Sequence, residues 1–383
     1  MLEDASKPEL KREVSMKAIA LRKGASNVEL IKVPRTEPQP GEVLIQALET
    51  GICGTDREMI ERKALDTPPG SDYLILGHEG LGRVVETSTE PNRLKAGDLV
   101  VPIVRRGCGQ CNACNSHQPD YCYTGKYTER GIHWQHGFFS EYYADRPEYL
   151  VTVDPSLLDI AVLAEPMSVS MKAHLIATQF LDRVRFNNYY SQAGATERVL
   201  VAGHGPIGML GVLLFLSKGW EVAVLGRRPS GDAQRTMIES LGATYLASAE
   251  EANEYSAGRG FLIIFEATGL SEVTFSLPQY LGRNGVLVLT GVPRGPKQIQ
   301  IDGNTLMAQL VRTNQTMVGS VNACADCFGL ALAQLAVFRK KYPTVTHKLI
   351  TSRIAIDNYQ EAFTGKGRDE IKVVITFPNG VKT

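Results

Sequence analysis

The chain has 383 residues, 43% hydrophobic and 21% charged, a balance typical of a globular protein with more than one core. Its 41 basic and 41 acidic residues cancel, which argues against nucleic acid or an anionic membrane as a partner and favours a small molecule. Residues 1–15 contain no apolar signal region, and no apolar stretch reaches the length of a membrane span. We therefore expect a cytoplasmic protein with an N-terminal extension over residues 1–15.

Short strands separated by Pro and Gly dominate the chain up to about residue 165. Runs rich in β-branched residues at 43–45, 83–85 and 99–101 are typical of strands joined by tight turns. The sequence therefore predicts a mostly-β domain over residues 16–170.

Two motifs in this domain offer metal ligands. Cys53 lies within residues 51–56, and His78 and Glu79 lie within residues 77–80. Either motif alone is more typical of a buried core residue than of a ligand. Together with a four-cysteine loop and a dinucleotide-binding unit, however, they predict a mixed zinc site with one open position, which is the catalytic type.

The four-cysteine loop follows at residues 108–122. Its thiols are Cys108, Cys111, Cys114 and Cys122. Since cytosolic thiols stay reduced, this spacing predicts metal binding rather than disulfides. Four thiolates make a closed tetrahedral zinc site that leaves no position for substrate and is therefore structural. An iron–sulfur cluster is the competing interpretation.

An α/β pattern begins at about residue 199. The apolar strand 199–202 is followed by a glycine-rich turn, an apolar helix and a second strand at 221–225, and further strands are predicted at 261–265 and 285–289. The turn reads Gly203, His204, Gly205, Pro206, Ile207 and Gly208. In this setting G-x-G-x-x-G predicts a dinucleotide site, because the glycines permit a tight turn and the helix N-terminus can meet a pyrophosphate. A glycine-rich turn without a ligand is the alternative.

The end of the second strand decides between the two nicotinamide cofactors. An acidic residue there would accept a hydrogen bond from the ribose 2′-hydroxyl, but the chain has Gly226, Arg227 and Arg228. Two guanidinium groups suit a 2′-phosphate, so NADP is favoured over NAD. A solvated arginine pair is the alternative.

The α/β alternation ends at about residue 322. The segment 371–377 is predicted as a last strand, and we expect residues 322–383 to return to the first domain, which leaves 171–321 as the nucleotide-binding domain. The segment 180–196 has no clean period and is interpreted as a surface connection near the domain boundary. Cys324 and Cys327 lack a second cysteine pair and are interpreted as two buried thiols.

These motifs together resemble the zinc-dependent medium-chain dehydrogenase/reductase superfamily, and within it the glucose (aldose) 1-dehydrogenase branch. The resemblance covers nearly the whole chain from Met16. It rests on Gly-Ile-Cys-Gly-Thr-Asp at 51–56, Gly-His-Glu at 77–79, Arg-Arg-Gly-Cys at 105–108, Gly-Ile-His at 131–133, Glu-Pro at 165–166, Leu-Gly-Arg-Asn-Gly-Val at 281–286 and Gly-Ser-Val-Asn at 319–322. It implies an α/β fold with a GroES-like mostly-β catalytic domain and a Rossmann doubly wound parallel sheet, assembled as a homodimer or tetramer.

The resemblance also implies roles for individual residues. The catalytic zinc would be held by Cys53, His78 and Glu79, with Glu165 as a further ligand or a near neighbour that exchanges with substrate. Asp56 would orient His78, and Thr55 would relay the proton. Sugar hydroxyls would contact Glu129 and Asn322, and the nicotinamide would be lined by Thr290, Gly291, Val292, Ser320, Val321 and Asn322.

The implied reaction is oxidation of the C1 hydroxyl of an aldose, such as D-glucose, D-galactose or D-xylose, to the aldonolactone with hydride transfer to NADP or NAD. Val104 and Val169 depart from the family, which often has Asn and Asp there near the sugar, so fewer polar sugar contacts are expected. The alternatives are a polyol, alcohol or threonine dehydrogenase of the same superfamily, or a nucleotide-binding protein without turnover.

Overall fold

The computed structural model describes residues 15–62, 65–87, 93–183, 197–293, 297–364, 367 and 369–378. Most of the predicted N-terminal extension, and residues 184–196 of the predicted surface connection, lie outside the described residues. None of the described helices combines the length and apolar character needed to cross a membrane.

The first part of the chain is mostly strands. They are β1 Ser15–Arg22, β2 Glu29–Pro34, β3 Val43–Gly51, β4 Tyr73–Ile75, β5 Glu79–Thr87, β6 Leu99–Pro102, β7 Arg105–Arg106, β8 Thr128–Arg130, β9 Trp134–Gln135, β10 Tyr142–Asp145 and β11 Leu150–Thr152. The helices are α1 Gly54–Arg62, α2 Asn112–Asn115 and α3 Ala164–Leu181, with 3-10 turns at Pro119–Tyr121, Pro147–Tyr149, Pro155–Leu157 and Ala161–Leu163.

Strands and helices then alternate. They are β12 Arg198–Ala202, α4 Pro206–Ser217, β13 Glu221–Leu225, α5 Ala233–Ser240, β14 Thr244–Leu246, α6 Ala249–Ser256, β15 Phe261–Glu266, α7 Ser271–Ser276, a 3-10 turn Leu277–Tyr280, β16 Leu281–Leu289, α8 Gly303–Thr313 and β17 Thr316–Gly319. The chain continues through α9 Ala325–Lys341, α10 Pro343–Lys348, β18 Ile350–Ala355, a 3-10 turn Ile356–Asn358, α11 Tyr359–Phe363 and β19 Lys372–Thr376.

The C-terminal strands join the sheet of the first part. This sheet has the order β11-β6-β5-β3-β19-β18, and β10 also pairs with β3. Within it, β19 runs antiparallel to β3, with Val374 opposite Gly51. Strands from the first part of the chain and the two C-terminal strands therefore build together the sheet that carries the two metal-ligand motifs.

The second sheet is parallel, with the strand order β14-β13-β12-β15-β16-β17. Its central strands are continuous apolar runs because helices cover both faces, as the sequence predicted. The order reverses beside β12, so the crevice beyond the carboxyl ends of β12 and β15 is where such a sheet binds ligands.

Helix α3 connects the two sheets. Met167 and Met171 on α3 belong to one hydrophobic cluster with Leu81 of β5 and Val201 of β12. Because one continuous core spans both sheets, α3 holds them together, and its first turn places Glu165 beside the metal-ligand motifs.

Candidate active site and metal centres

The pairing of β3 with β5 brings the first two metal-ligand motifs together. Gly51, the last residue of β3, lies opposite Glu79, the first residue of β5. A Cβ atom at position 51 would lie 2.1 Å from Glu79 Oε2, so this close approach requires glycine. The ligand atoms of Cys53, His78 and Glu79 consequently lie within 4.8 Å of one another.

Asp56 organises this group from the first turn of α1. Its carboxylate accepts hydrogen bonds from the Cys53 amide at 2.8 Å and the Gly77 amide at 3.1 Å. Its Oδ1 lies 3.7 Å from His78 Nδ1, a buried atom without a hydrogen-bond partner among the described residues. Burial opposes a charge on His78, but Asp56 and Cys53 outweigh it and hold the pKa of His78 well above its ordinary value.

The sulfur, imidazole and carboxylate donors of Cys53, His78 and Glu79, gathered in a largely buried site, fit zinc. The Oγ1 atom of Thr55 lies 3.8 Å from Cys53 Sγ, next to this donor set. Glu165 is not among the three donors that lie within 4.8 Å of one another in the described chain. Burial raises its pKa to about 7 against the opposing charge of His78. The structure thus places Glu165 as a neighbour of the three donors.

Lys372, which the sequence analysis did not predict, is paired with one of these donors. Its Nζ lies 2.6 Å and 2.7 Å from the two oxygens of Glu79 and donates to the Ile52 carbonyl at 3.1 Å. The ammonium is buried and compensates the Glu79 carboxylate. The available sequence signal was a lysine at the start of an otherwise apolar strand.

The four cysteines of the 108–122 loop also converge. Their four Sγ atoms lie within 4.8 Å of one another, with Cys111 and Cys114 3.5 Å apart. Hydrogen bonds from Thr124 and from the loop backbone lower the pKa of Cys108 to about 6. Four convergent thiols, one of them readily ionised, fit a closed tetrahedral zinc.

The glycine-rich turn has the geometry of a phosphate-binding loop. Gly203 has φ +95°, and a Cβ at Gly208 would lie 2.1 Å from the Gly203 carbonyl oxygen. The Cβ position of Gly205, the N-cap of α4, faces open space, while Pro206 begins the helix and Ile207 packs on the core. The open N-terminus of α4 fits a cofactor pyrophosphate.

Three side chains meet at the carboxyl end of β13. Gln234 Oε1 lies 3.0 Å from His204 Nδ1 and accepts from Arg228 at 3.1 Å. Arg228 also lies 3.3 Å from Asp232 Oδ2, whereas the side chain of Arg227 is exposed. Gly226 is required here because a Cβ would lie 2.1 Å from the Tyr245 hydroxyl oxygen.

Glu266, which was also not predicted from the sequence, contacts two of the residues predicted to line the nicotinamide. Thr290 donates to the Glu266 main-chain carbonyl at 2.7 Å, and the Gly291 amide lies 3.3 Å from its carboxylate. Val292 follows with an exposed side chain. The sequence signal that could have indicated this support was a glutamate at the end of the apolar strand β15, where the structure buries it fully.

The two predicted sugar contacts are hydrogen-bonded to each other. Asn322 donates to Glu129 Oε1 at 2.5 Å, and Arg105 donates to the same oxygen at 3.0 Å. Ser320 and Val321 precede Asn322 just after β17, whereas Val104 lies in the hydrophobic core. The polar cluster of Arg105, Glu129 and Asn322 therefore joins the mostly-β first part of the chain to the segment that follows β17.

The remaining cysteine pair lies at the start of α9. Cys324 and Cys327 are buried, with their Sγ atoms 3.7 Å apart. Among the described residues, no third ligand groups with them. The interpretation as two buried thiols stays a prediction.

Comparisons with known proteins agree with this architecture. The family "Alcohol dehydrogenase GroES-like domain" matches residues 39–155, and the family "Glucose dehydrogenase C-terminus" matches residues 158–377. Glucose 1-dehydrogenases of Methanocella arvoryzae and Thermoproteus tenax are each 35% identical to the chain, over 94% of it and 99% of the relative.

The solved structures include Haloferax mediterranei glucose dehydrogenase in complex with NADP, Zn and gluconolactone. It superposes with a TM-score of 0.84 at 32% identity, covering 95% of this chain and 100% of that one. The predicted fold, a GroES-like domain with a Rossmann parallel sheet, and the predicted resemblance are confirmed. The chain belongs to the glucose dehydrogenase family.

Proposed function

We propose that this protein is a zinc- and NAD(P)-dependent dehydrogenase that oxidises the C1 hydroxyl of an aldose to the aldonolactone. The observation that carries the proposal is the Asn322–Glu129 hydrogen bond of 2.5 Å. Asn322 follows the nucleotide-side strand β17, while Glu129 lies two residues before Gly131, whose Cβ position is 2.4 Å from the Gly77 carbonyl oxygen. This polar pair thus links the segment after β17 to the strand that precedes the Gly131–Gly77 contact, and there it would bind substrate hydroxyls.

The family relationship supports this choice of substrate. Gluconolactone, bound in the Haloferax enzyme, is the product expected from C1 oxidation of glucose. A simple alcohol or threonine would offer the Glu129–Asn322 pair fewer hydroxyl partners than a sugar. Buried polar groups left unpaired cost about 1–3 kcal/mol each, which disfavours such substrates.

We assign the roles within the metal site as follows. Cys53, His78 and Glu79 would hold a catalytic zinc, which when bound polarises the substrate hydroxyl and lowers its pKa. Thr55 would accept the released proton and pass it toward solvent. Asp56 keeps Cys53 and His78 in place through the contacts described above.

Other residues orient the two reactants. Thr290 and Gly291, fixed by Glu266, would position the nicotinamide so that its C4 can accept the C1 hydride. Glu129 and Asn322 would hold the sugar ring. NADP is favoured because residues 226–228, which directly follow β13, are not acidic, and the exposed Arg227 would meet a 2′-phosphate.

We further propose a cytoplasmic homodimer or homotetramer with two zinc ions per chain, one catalytic and one held by the four-cysteine loop. None of the seven cysteines, all of which lie in the described part of the chain, forms a disulfide, which suits a reducing compartment. Among the described strands, β17 lies at the edge of its sheet, and apolar side chains on neighbouring α8 are exposed.

A substrate panel tests the proposed function. Formation of reduced cofactor is followed by absorbance with NADP and then NAD against D-glucose, D-galactose, D-xylose, sorbitol, ethanol and L-threonine, with and without a zinc chelator. We expect chelator-sensitive activity with aldoses, faster with NADP. Activity confined to sorbitol, ethanol or threonine would replace the substrate assignment, and inactivity with every compound would favour a protein without turnover.

A further inference from the structure

Lys172, in the middle of α3, joins three segments of the chain. Its side chain is only 5% exposed. The Nζ atom donates to Asp120 Oδ2 at 2.6 Å and to the Val321 carbonyl at 2.9 Å, and it lies 4.0 Å from the centre of the Tyr121 ring. A buried ammonium with this many partners fixes its surroundings, because moving any one of them would expose a charge to an apolar interior.

Asp120 belongs to the four-cysteine loop, between Cys114 and Cys122. Its carboxylate is buried and paired with Lys172, and its main-chain carbonyl accepts from Arg105 at 2.9 Å. The loop is therefore tied to the rest of the molecule by two cations.

Both of these cations also contact residues in or next to the proposed sugar site. Arg105 donates to Glu129 Oε1 at 3.0 Å, while Lys172 binds the carbonyl directly before Asn322. Asn322 in turn donates to Glu129 at 2.5 Å. Asp120 is thus linked to Glu129 by two chains of hydrogen bonds. One runs through Arg105, and the other runs through Lys172 and the peptide that precedes Asn322.

The contact to Val321 controls the orientation of Asn322. The Val321 carbonyl and the Asn322 amide share one planar peptide group, so a hydrogen bond to that carbonyl fixes the plane from which Asn322 projects. Asn322 has φ +55°, in the left-handed region, which asparagine adopts more readily than most other non-glycine residues.

We propose that Lys172 and Asp120 are a positioning pair for the substrate, so that the four-cysteine loop sets the geometry of the sugar pocket in addition to stabilising the fold. This inference rests on the proposed function. The pair reaches the sugar through Asn322 and Glu129 and does not touch the phosphate-binding turn. Val321 and Asn322 also belong to the proposed nicotinamide wall, but the pair has no described contact with the turn that would hold the cofactor phosphates, so its loss should affect aldose binding and turnover more than cofactor binding.

The test compares Asp120→Asn and Lys172→Met with the parent enzyme. Asp120→Asn preserves the shape of the side chain while removing its charge, so it carries the test if Lys172→Met does not fold. Lys17→Met is the matched control, because Lys17 forms a Lys–Asp ion pair of the same 2.6 Å length with Asp357. Zinc content and melting temperature establish that each variant is folded and loaded.

We expect a rise in aldose KM of about tenfold and a fall in kcat, with the NADP dissociation constant from fluorescence titration changed by less than about twofold. Hydrogen exchange in the segment 319–323 should accelerate in Lys172→Met and remain unchanged in Lys17→Met. The control should also retain the parent kinetics.

Three other results are informative. Folded, zinc-loaded variants with parent-like aldose kinetics and exchange would overturn the positioning role. So would equal weakening of sugar and NADP binding that follows the loss of melting temperature, since a purely stabilising ion pair predicts that pattern. If the parent oxidises no aldose, the proposed function fails by itself, and the exchange of segment 319–323 alone decides whether Lys172 orders Asn322.

Discussion

Glu129 accepts hydrogen bonds from Arg105 and Asn322, so its charge and its shape can be separated by mutation. Glu129→Gln keeps the side-chain volume and one acceptor oxygen but loses the charge that Arg105 pairs with. We expect aldose KM to rise about tenfold or more while the NADP dissociation constant stays near that of the parent, because a charged hydrogen bond contributes about 1.5–3 kcal/mol. Kinetics across the aldose panel check this. An unchanged sugar profile would remove Glu129 from the sugar site.

Lys372 and a catalytic zinc would both compensate the charge of Glu79. Lys372→Met leaves a buried carboxylate without its cation, which costs about 3–5 kcal/mol in folding free energy when nothing replaces it. We expect the zinc-loaded protein to lose much less stability than the metal-free protein, because zinc supplies the missing positive charge.

Denaturant unfolding of both forms, with Lys372→Arg as the charge-preserving control, measures this difference. Equal losses in the two forms would mean that Glu79 is not near the metal.

The sequence could indicate Cys53, His78 and Glu79 because each belongs to a short local motif. It could not indicate Lys372, which reaches Glu79 across a separation of 293 residues.

The elements differ in how much the local sequence specifies. The parallel sheet follows from continuous apolar runs such as β12 and β15, since burial on both faces removes polar positions. Loops that are held by a few long-range contacts have no such regular pattern of apolar residues. The stretch 320–322 depends on Lys172 of α3 and Glu129 of β8, and neither contact can be deduced from its own residues.

Helix α9 provides a test of the two sulfur clusters. Cys324 and Cys327 lie 3.7 Å apart at its start but lack further ligands in the described chain, whereas four thiols converge in the 108–122 loop. The double variant Cys324→Ser/Cys327→Ser should therefore retain the parent zinc content, while Cys111→Ser should lose about one zinc per chain. Metal analysis of the purified variants measures this. Loss of zinc from the double variant would show that the pair is a ligand set.

Within the described part of the molecule, β17 lies at the edge of the parallel sheet, and α8 has an apolar stripe. Met307 and Val311 are four residues apart on one face of that helix and are 63% and 72% exposed. Exposed apolar side chains beside an unpaired strand edge are typical of a subunit contact, since each alone is unfavourable in water.

In a homo-oligomer formed through this face, the same residues of two copies would meet and remove that surface from solvent. The double variant Met307→Lys/Val311→Lys would place like charges opposite each other and should dissociate the assembly without unfolding the chain. Sedimentation velocity gives the mass of the parent and of the variant. Lys17→Met, which removes an exposed ion pair elsewhere on the surface, is the control and should keep the parent's mass. A monomeric parent would exclude the contact. A variant with the mass of an oligomeric parent would place the contact elsewhere on the surface. A smaller assembly that still reduces NADP would show that each subunit contains a complete active site, as expected because the proposed zinc, sugar and nucleotide residues all belong to one chain.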